Sequence, residues 1–369
     1  MWQVVGHKQA LDIFQRALSG GTLAHAYLLV GPGGIGKQTF AREVARAALC
    51  TGPQEGLGPP PCDACTSCRL ALARTHPDLI YLALAHPLDE EEVKRVQDGV
   101  QRREISIRDI RRLTALCNLT TRLHGRRAII VDRAEQLSEE AGNALLKTLE
   151  EPLGPSLFLL LSCNEEAVLP TLRSRCLVVR LGLLTQEALA QALQERWGAT
   201  PEEAHLASRL AQGRLGWALR FLGKVTEEEK GQREHPLRQE EREGLLEQFA
   251  HLAGAPLRER FTFAKQMADR WRRERTWVLD AIEMWTWWWR DLLLLRLGFP
   301  QGVVNTDAVR SLEGLAQQCP VDNLADAVRR LLALRWHLEA NVNPSLALEY
   351  ALLHLPRLTL PAASSYPSP

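Results

Sequence analysis

The sequence has no long hydrophobic run and no large excess of charge of either sign. Its most apolar stretch, Trp285 to Leu297, is interrupted by Arg290, Asp291 and Arg296 and is too short to cross a bilayer. The formal net charge is +1, so any contact with nucleic acid has to be a local patch. The N-terminus lacks a basic segment followed by an apolar one, the pattern of a secretory signal. These absences predict a cytoplasmic protein with no membrane partner.

Length and the order of the predicted elements favour several domains. The chain has 369 residues, of which 46% are hydrophobic and 24% charged, which is typical of about two or three globular domains. Strands alternate with helices as far as residue 182, and this alternation predicts an α/β domain with a doubly wound parallel sheet. The predicted organisation is an α/β domain over 1–182, a small helical lid domain over 183–223, a charged linker over 224–242, a helical domain over 243–358 and a disordered tail over 359–369.

Apolar runs and helical periodicity give the elements within these domains. The predicted strands are Ala26–Val30, Asp78–Leu82, Ala128–Asp132 and Leu157–Ser162. Helices are predicted over 107–116 and from Ser138 to Glu151, where Pro152 ends the helix. A long tryptophan-rich helix is predicted around 263–297, and its rings are interpreted as packing core or as a subunit interface. These rings are Trp271, Trp277, Trp285 and Trp288.

A glycine-rich loop over residues 31–37, Gly-Pro-Gly-Gly-Ile-Gly-Lys, follows the first strand and precedes a helix. Strand, loop and helix in this order form the context of a phosphate-binding P-loop. The glycines allow successive backbone N–H groups to surround phosphate oxygens, and the lysine reaches the outer phosphates. The residues are Gly31, Gly33, Gly34, Gly36 and Lys37, and the pattern predicts a site for ATP or ADP.

The same site departs from the pattern of a working ATPase. The residue after the lysine should offer a hydroxyl group to Mg²⁺, but it is Gln38, and Thr39 is one residue out of phase. Asp132 ends its strand as expected, yet Arg133 stands where a catalytic carboxylate is expected, and an arginine cannot accept a proton from water. Glu135 is the alternative carboxylate. We therefore predict a degenerate nucleotide site that does not hydrolyse ATP.

Cys50, Cys62, Cys65 and Cys68 have the spacing C-x11-C-x2-C-x2-C. In a reducing compartment this spacing indicates a metal site and not disulfides. Four thiolates suit a tetrahedral Zn²⁺ with no open position, which is a structural and not a catalytic site. We predict a zinc module at about residues 50–70, inserted between the helix after the P-loop and the next strand. The alternative is chance clustering of cysteines in a loop.

These motifs resemble the clamp-loader subunits of the AAA+ class, and among them the delta-prime family of bacterial DNA polymerase III. The resemblance is dense over residues 5–182 and thin over 224–334. Its segments are Val5-Gly6-His7, Ala24 to Leu28, the four-cysteine insertion, Thr75-His76-Pro77-Asp78, Ile107 to Arg111, Asn143 to Pro152, Ser174-Arg175-Cys176 and Asn341 to Glu349.

The resemblance implies a role for one arginine and the loss of another. Arg175 corresponds to an arginine finger that reaches the ATP bound by a neighbouring subunit. A second sensor arginine of the family falls on Gly216, and Arg214 is out of register and is interpreted as a solvated charge. Three groups that act within the chain are thus replaced, whereas the group that acts on a neighbour is kept.

The implied function is that of a non-hydrolysing, stator-like clamp-loader subunit. Its implied partners are the gamma/tau and delta subunits and, through the complex, the sliding clamp and primed DNA. The first alternative is an active gamma/tau-like ATPase in which Thr39 and Glu135 take over the missing roles; ATP hydrolysis by the isolated chain would favour it. The second is a nucleic-acid-binding protein that uses the zinc module or the arginines between residues 102 and 127; salt-dependent DNA binding would favour it.

Overall fold

The chain divides into two compact units in the computed structural model. The first contains Met1–Thr185 with Gly213–Gly216, and the second contains Gln186–Gln212 and the residues from Trp217 onward. The predicted boundaries between lid, linker and C-terminal helical domain stay predictions, since most of 224–242 and almost all of the tail lie outside the described residues. The structure describes residues 2–53, 55–98, 102, 104–123, 125–151, 154–224, 238–340 and 342–359.

A five-stranded parallel sheet forms the centre of the first unit. The strand order is β2-β3-β4-β1-β5, and all neighbouring strands are parallel. The predicted doubly wound α/β sheet is therefore confirmed. The strands are β1 (Ala26–Val30), β2 (Leu79–Leu82), β3 (Arg127–Val131), β4 (Ser156–Ser162) and β5 (Leu177–Arg180). The helices are α1 (Lys8–Ser19), α2 (Lys37–Ala48), α3 (Thr66–Leu72), α4 (Glu90–Gln97), α5 (Ile107–Cys117), α6 (Glu139–Glu150) and α7 (Pro170–Arg173).

The inner strands read as continuous apolar runs because both of their faces are buried. In β1, Ala26 and Leu28 belong to one hydrophobic cluster, whereas Tyr27 and Leu29 belong to the cluster on the other face. The four predicted strands lie where the runs indicate. The edge strand β5 was not predicted separately, and its first residue, Leu177, is 51% exposed.

Capping side chains fix where the predicted helices begin. The Ser138 Oγ accepts the N–H of Ala141 at 3.2 Å at the start of α6, and Ser106 forms a capping box with Asp109 at the start of α5. Such caps satisfy N–H groups that have no partner within the helix. Both predicted helices are confirmed, and Pro152 lies outside the described residues.

Every regular element among the described residues of the second unit is a helix. Its helices are α8 (Gln186–Trp197), α9 (Pro201–Ala211), α10 (Leu215–Phe221, whose first two residues group with the first unit), α11 (Gln239–Gly254), α12 (Leu257–Trp271), α13 (Arg275–Arg296), α14 (Val309–Ala316), α15 (Val321–Glu339) and α16 (Pro344–Leu353).

The tryptophan-rich segment is two helices and not the single helix predicted around 263–297. Helix α12 ends at Trp271 and α13 begins at Arg275, because the charged residues between them supply no apolar side chain to continue a buried face. The rings themselves are core, as interpreted from the sequence. Trp285, for example, is 2% exposed and stacks on Phe249 with ring centroids 5.0 Å apart.

One buried arginine connects the ends of two helices in this unit. Arg260, on α12, is 1% exposed, and its guanidinium donates hydrogen bonds to five backbone carbonyl groups at 2.7–3.2 Å. Two of the carbonyls, of Leu252 and Ala253, lie in the last turn of α11. The other three, of Leu352, Leu355 and Pro356, lie at and beyond the end of α16. The cation thus neutralises the partial negative charge at two helix C-termini.

We expect Arg260→Met to lower the free energy of unfolding by about 3 kcal/mol or more, because each buried carbonyl left without a donor costs about 1–3 kcal/mol. Urea unfolding followed by tryptophan fluorescence measures this, since all tryptophans except Trp2 lie in the second unit. The control is Arg258→Met, which changes an exposed residue on the same helix. Equal effects of the two variants on the free energy of unfolding would show that the carbonyl contacts of Arg260 do not stabilise the fold.

Candidate functional site

The P-loop lies at the carboxyl end of β1, directly before α2. Gly36 precedes α2 with φ +101°, a backbone conformation that residues with a side chain rarely adopt. Lys37 is 8% exposed, and its Nζ donates to Gly31 O at 2.6 Å, to Pro32 O at 2.9 Å and to Cys163 Sγ at 3.3 Å. A phosphate group would have to replace these acceptors. The lysine is thus buried within the loop in which the sequence predicts phosphate binding.

The position expected to hold Mg²⁺ is bridged by protein hydrogen bonds. Gln38 Nε2 donates to the hydroxyl of Tyr81, and that hydroxyl donates to Asp132 Oδ2 at 3.1 Å. Burial, and then the Asp132 carboxylate, raise the pKa of Tyr81, so the hydroxyl group keeps its proton. Tyr81 comes from β2 and was not singled out in the sequence, because no motif includes it.

The two residues proposed as substitutes in an active enzyme lie in different surroundings. Thr39 is exposed on α2, whereas Gln38 makes the contact with Tyr81. Glu135 Oε1 accepts the N–H of Cys163 at 3.4 Å, and its Oε2 is buried with no hydrogen-bond partner among the described residues. Since Lys37 also contacts Cys163, Glu135 lies closer to the P-loop than its sequence position suggests. Thr39, in contrast, is directed to the surface of α2 and has no such contact with the P-loop among the described residues.

Arg175 lies in the exposed segment after α7, and its side chain is 38% exposed. Its guanidinium donates to Thr171 O at 3.1 Å and to Ser174 Oγ at 3.3 Å, and it forms an ion pair with Glu150 at the end of α6. Surface ion pairs contribute only about 0–1 kcal/mol. The guanidinium is therefore held near the surface by contacts that another anion could replace.

Gly216 occupies the place of the second sensor arginine. A Cβ atom at Gly216 would lie 2.9 Å from the carbonyl oxygen of Gly34 in the P-loop, so this position leaves no room for a side chain. The interpretation of Arg214 as a solvated charge is wrong, because Arg214 is 8% exposed. It follows Gly213, which has a φ of +82° and packs so closely that an added Cβ atom would lie 2.4 Å from the carbonyl oxygen of Leu184.

His7 is a further residue beside the P-loop. Its Nε2 lies 3.2 Å from Ile35 O, and its ring meets the Phe40 ring edge-on with centroids 5.9 Å apart. Burial lowers the pKa of His7, and the contact with Ile35 opposes this shift only in part. The motif Val5-Gly6-His7 contributes only to the family resemblance in the sequence, and the structure places its histidine against the loop.

Two of the arginines considered for DNA binding are buried. Arg102 is buried in ion pairs with Glu92 and Asp109. Arg127 is also buried and donates to the carbonyl oxygens of Cys117 and Leu119. Both have structural partners, whereas Arg108, Arg111, Arg112 and Arg122 are exposed and Arg126 is half-buried; Arg103 lies outside the described residues.

The four cysteines of the predicted zinc module lie together. Their Sγ atoms are all within 4.8 Å of one another, which suits four thiolates about 2.3 Å from a central Zn²⁺. Burial raises the pKa of Cys65, but hydrogen bonds, chiefly from Thr51 and Cys68, outweigh it and lower the pKa to about 6. Burial raises the pKa of Cys68. Since four thiols this close cannot all ionise without a balancing cation, the donor set fits a metal ion.

Polar contacts connect this module to α2 and β2. The buried Arg46 on α2 pairs with Asp63, which lies between two of the cysteines, and with Glu43 at 2.5 Å. Ser67 Oγ donates to Leu49 O at 2.6 Å and lies 2.7 Å from His76 Nε2. The metal-site candidate is therefore fixed to the helix that begins at the P-loop.

The Thr75-His76-Pro77-Asp78 motif orders the chain before β2. His76 Nδ1 accepts the N–H of Asp78 at 3.0 Å. The Asp78 carboxylate in turn accepts the N–H groups of Arg122 and Leu123 at 2.9 and 3.0 Å. The motif thus holds the segment before β3.

Among the described residues, no helix is long and apolar enough to cross a membrane. The sheet order, the glycine loop between β1 and α2 and the carboxylate after β3 define a P-loop domain of the AAA+ class, here followed by a helical region.

Comparisons with known proteins agree with this class. A family model described as "DNA polymerase III, delta subunit" matches residues 6–185. A second, described as "DNA polymerase III, delta subunit, C terminal", matches residues 236–356. The chain belongs to the delta-prime-like family of DNA polymerase III clamp-loader subunits.

Individual relatives include both delta-prime and tau subunits. DNA polymerase III subunit delta' of Pseudomonas aeruginosa is 36% identical over 49% of this chain and 51% of that protein. Subunit delta' of Haemophilus influenzae is 32% identical over 60% of this chain and 61% of that protein. Subunit tau of Salmonella typhimurium is 31% identical over 62% of this chain but only 33% of that protein. The chain thus spans about a third to three fifths of these three relatives.

We expect Gly52→Ala to weaken metal binding at the four cysteines about 10- to 100-fold, the range found when a supporting contact of a metal ligand is lost. A Cβ atom at Gly52 would lie 2.6 Å from both Cβ and Sγ of Cys62. Competition between the full chain and a zinc-binding dye measures the affinity.

Cys65→Ser should abolish stoichiometric Zn²⁺ binding, and Cys163→Ser, which changes an exposed cysteine outside the cluster, should not. Equal zinc content in all variants would rule out this site.

Proposed function

We propose that this protein is a non-hydrolysing, stator-like subunit of the replicative clamp loader. Arg175 completes the ATP site of a neighbouring gamma/tau subunit, and the assembly loads the sliding clamp onto primed DNA in the cytoplasm. The observation that carries the proposal is the contrast between the chain's own nucleotide site and Arg175. At the nucleotide site, the groups expected to act on ATP are replaced by other residues or bridged by hydrogen bonds. The Arg175 guanidinium, in contrast, is exposed and makes weak surface contacts.

The chemistry at the neighbour's site is electrostatic. A guanidinium offers several N–H donors in a fixed plane and stays protonated, so it can stabilise the charge that develops on a transferring γ-phosphoryl group. Such a finger is worth roughly 10³–10⁵ in rate. The contacts with Thr171 and Ser174 limit the positions of the Arg175 side chain, and the Glu150 carboxylate gives way to the phosphate.

The P-loop of this chain has a different task. It holds ATP or ADP through Lys37 and the loop N–H groups without hydrolysing it, since Arg133 cannot act as a base and Gly216 cannot reach the phosphates. The cysteine module holds a structural Zn²⁺ that fixes the end of α2.

The helical second unit supplies the contact with partner subunits. Helices α15 and α16 contact each other, and both lie within the region that matches the C-terminal family model. They expose large apolar side chains, among which Trp336 is 65% exposed. A face of this kind marks a protein interface, and the helical region of a neighbouring clamp-loader subunit is its proposed occupant. The exposed side chains are Leu332, Trp336, Leu346, Tyr350 and Leu353.

We expect Arg175→Ala to slow ATP hydrolysis at the neighbouring site roughly 10³-fold or more. The total ATPase rate of the reconstituted clamp loader should therefore fall by the fraction that this one site contributes. Arg175→Lys should give nearly the same loss, since an ammonium group lacks the planar fork. The measurement is clamp- and DNA-stimulated phosphate release.

Arg180→Ala is the matched control, because Arg180 is exposed, lies five positions on and also forms a surface ion pair, with Glu165. The Arg175 variants should assemble and unfold like the wild type. A complex containing Arg175→Ala with an unchanged ATPase rate would refute the arginine-finger role.

The active gamma/tau-like enzyme remains the second candidate because Glu135 lies beside the P-loop. We expect the isolated chain to release phosphate from ATP no faster than its Lys37→Ala variant. Release that depends on Lys37 and is abolished by Glu135→Gln would establish the gamma/tau-like enzyme instead.

A further inference from the structure

A P-loop protein holds Mg²⁺ between the hydroxyl group after its lysine and the carboxylate that ends the neighbouring strand. In this chain the corresponding residues are Gln38 and Asp132, and the hydroxyl group of Tyr81 contacts both. The two positions are therefore already connected through a third side chain. Tyr81 comes from β2, which lies at the edge of the sheet beside β3.

The direction of the two hydrogen bonds follows from the chemistry of the groups. An ionised carboxylate only accepts, so Tyr81 has to donate its single proton to Asp132. The hydroxyl oxygen can then only accept from Gln38, which must present its NH₂ group. The amide oxygen, the one atom of Gln38 that could coordinate a cation, is consequently turned away from the bridge.

The surroundings of the bridge also disfavour a divalent cation. The Arg42 guanidinium lies 5.0 Å from the centroid of the Tyr81 ring, and the His86 ring meets the same ring edge-on at 5.5 Å. Mg²⁺ requires nearly ideal octahedral oxygen ligands at about 2.0–2.1 Å. Here one oxygen of Asp132 already accepts the Tyr81 hydroxyl proton, and the positive charge of Arg42 lies beside the Tyr81 ring.

We propose that the P-loop of this protein binds a nucleoside di- or triphosphate without Mg²⁺, the Gln38–Tyr81–Asp132 bridge occupying the place of the metal. The ligand's charge is balanced by Lys37 and the loop N–H groups. This inference rests on the proposed nucleotide-binding role of the loop and is independent of Arg175.

The test measures the coupling between metal and nucleotide. A fluorescent ADP analogue is titrated into the full-length, zinc-loaded chain, once with MgCl₂ and once in buffer freed of Mg²⁺ by a resin, because a soluble chelator would also remove zinc. The ratio of the two dissociation constants is the coupling factor. We expect a ratio within about twofold of one, where a coupled pair of ligands typically gives about fivefold or more.

Two variants make the result specific. Lys37→Ala should abolish binding, which would place the nucleotide in the P-loop. The double variant Gln38→Thr with Tyr81→Phe supplies the hydroxyl group and frees Asp132, so Mg²⁺ should then tighten binding by about fivefold or more. Tyr81→Phe alone removes the bridge without supplying the hydroxyl group. Its coupling factor between Mg²⁺ and nucleotide should lie between those of the wild type and the double variant.

Tight binding of the analogue only with Mg²⁺ to the wild type would overturn the inference, and so would the absence of any binding under both conditions. Neither result bears on the arginine finger, which is tested by the ATPase rate of the whole complex. A fall in that rate for Arg175→Ala together with Mg²⁺-dependent binding here would leave the proposed function intact and remove this inference alone.

Discussion

The strands β1 and β3 both pair with β4, so their carboxyl ends lie at the same end of the parallel sheet. The arrangement of the nucleotide site depends on this strand pairing. The P-loop follows β1, Asp132 follows β3 and Cys163 follows β4, so residues more than 100 positions apart converge at Lys37. Because parallel strands require crossover connections, each connecting segment can carry extra structure without disturbing that end of the sheet. The cysteine module is such an addition, placed in the crossover between β1 and β2.

Two arginines of the molecule, Arg260 and Arg175, are held in opposite ways. Arg260 is buried, and its N–H groups are committed to five carbonyl groups, so it can only stabilise the fold. Arg175 has replaceable partners and open surroundings. A charge contributes to stability when its contacts are fixed and enclosed, and it becomes available to another molecule when they are few and exposed. The fold thus separates a structural cation from one that can serve a partner.

The amino-acid sequence was a good guide wherever the signal was local. Buried strands such as β3 read as apolar runs, and a serine cap marks the start of α6, so the positions of both follow from the residues alone. Tyr81 could not be connected to Gln38 and Asp132 in this way, since the three residues belong to different elements and only the sheet order brings them together. The burial of Arg214 could not be predicted for the same reason. The break between α12 and α13 was not predicted from the sequence, because apolar residues continue on both sides of the three charged residues between the helices.

The five acceptors of Arg260 have a consequence for how the chain is made. Three of them, from Leu352 to Pro356, are 92–96 positions later in sequence than Arg260. During synthesis, which proceeds from the N-terminus, α12 emerges from the ribosome long before those carbonyl groups exist. Until then the guanidinium can bond to the carbonyl groups of Leu252 and Ala253, while its other N–H groups stay hydrated. The second unit therefore completes this packing only after Pro356 has been synthesised, whereas the strands that frame the P-loop are all available once β5 has been made.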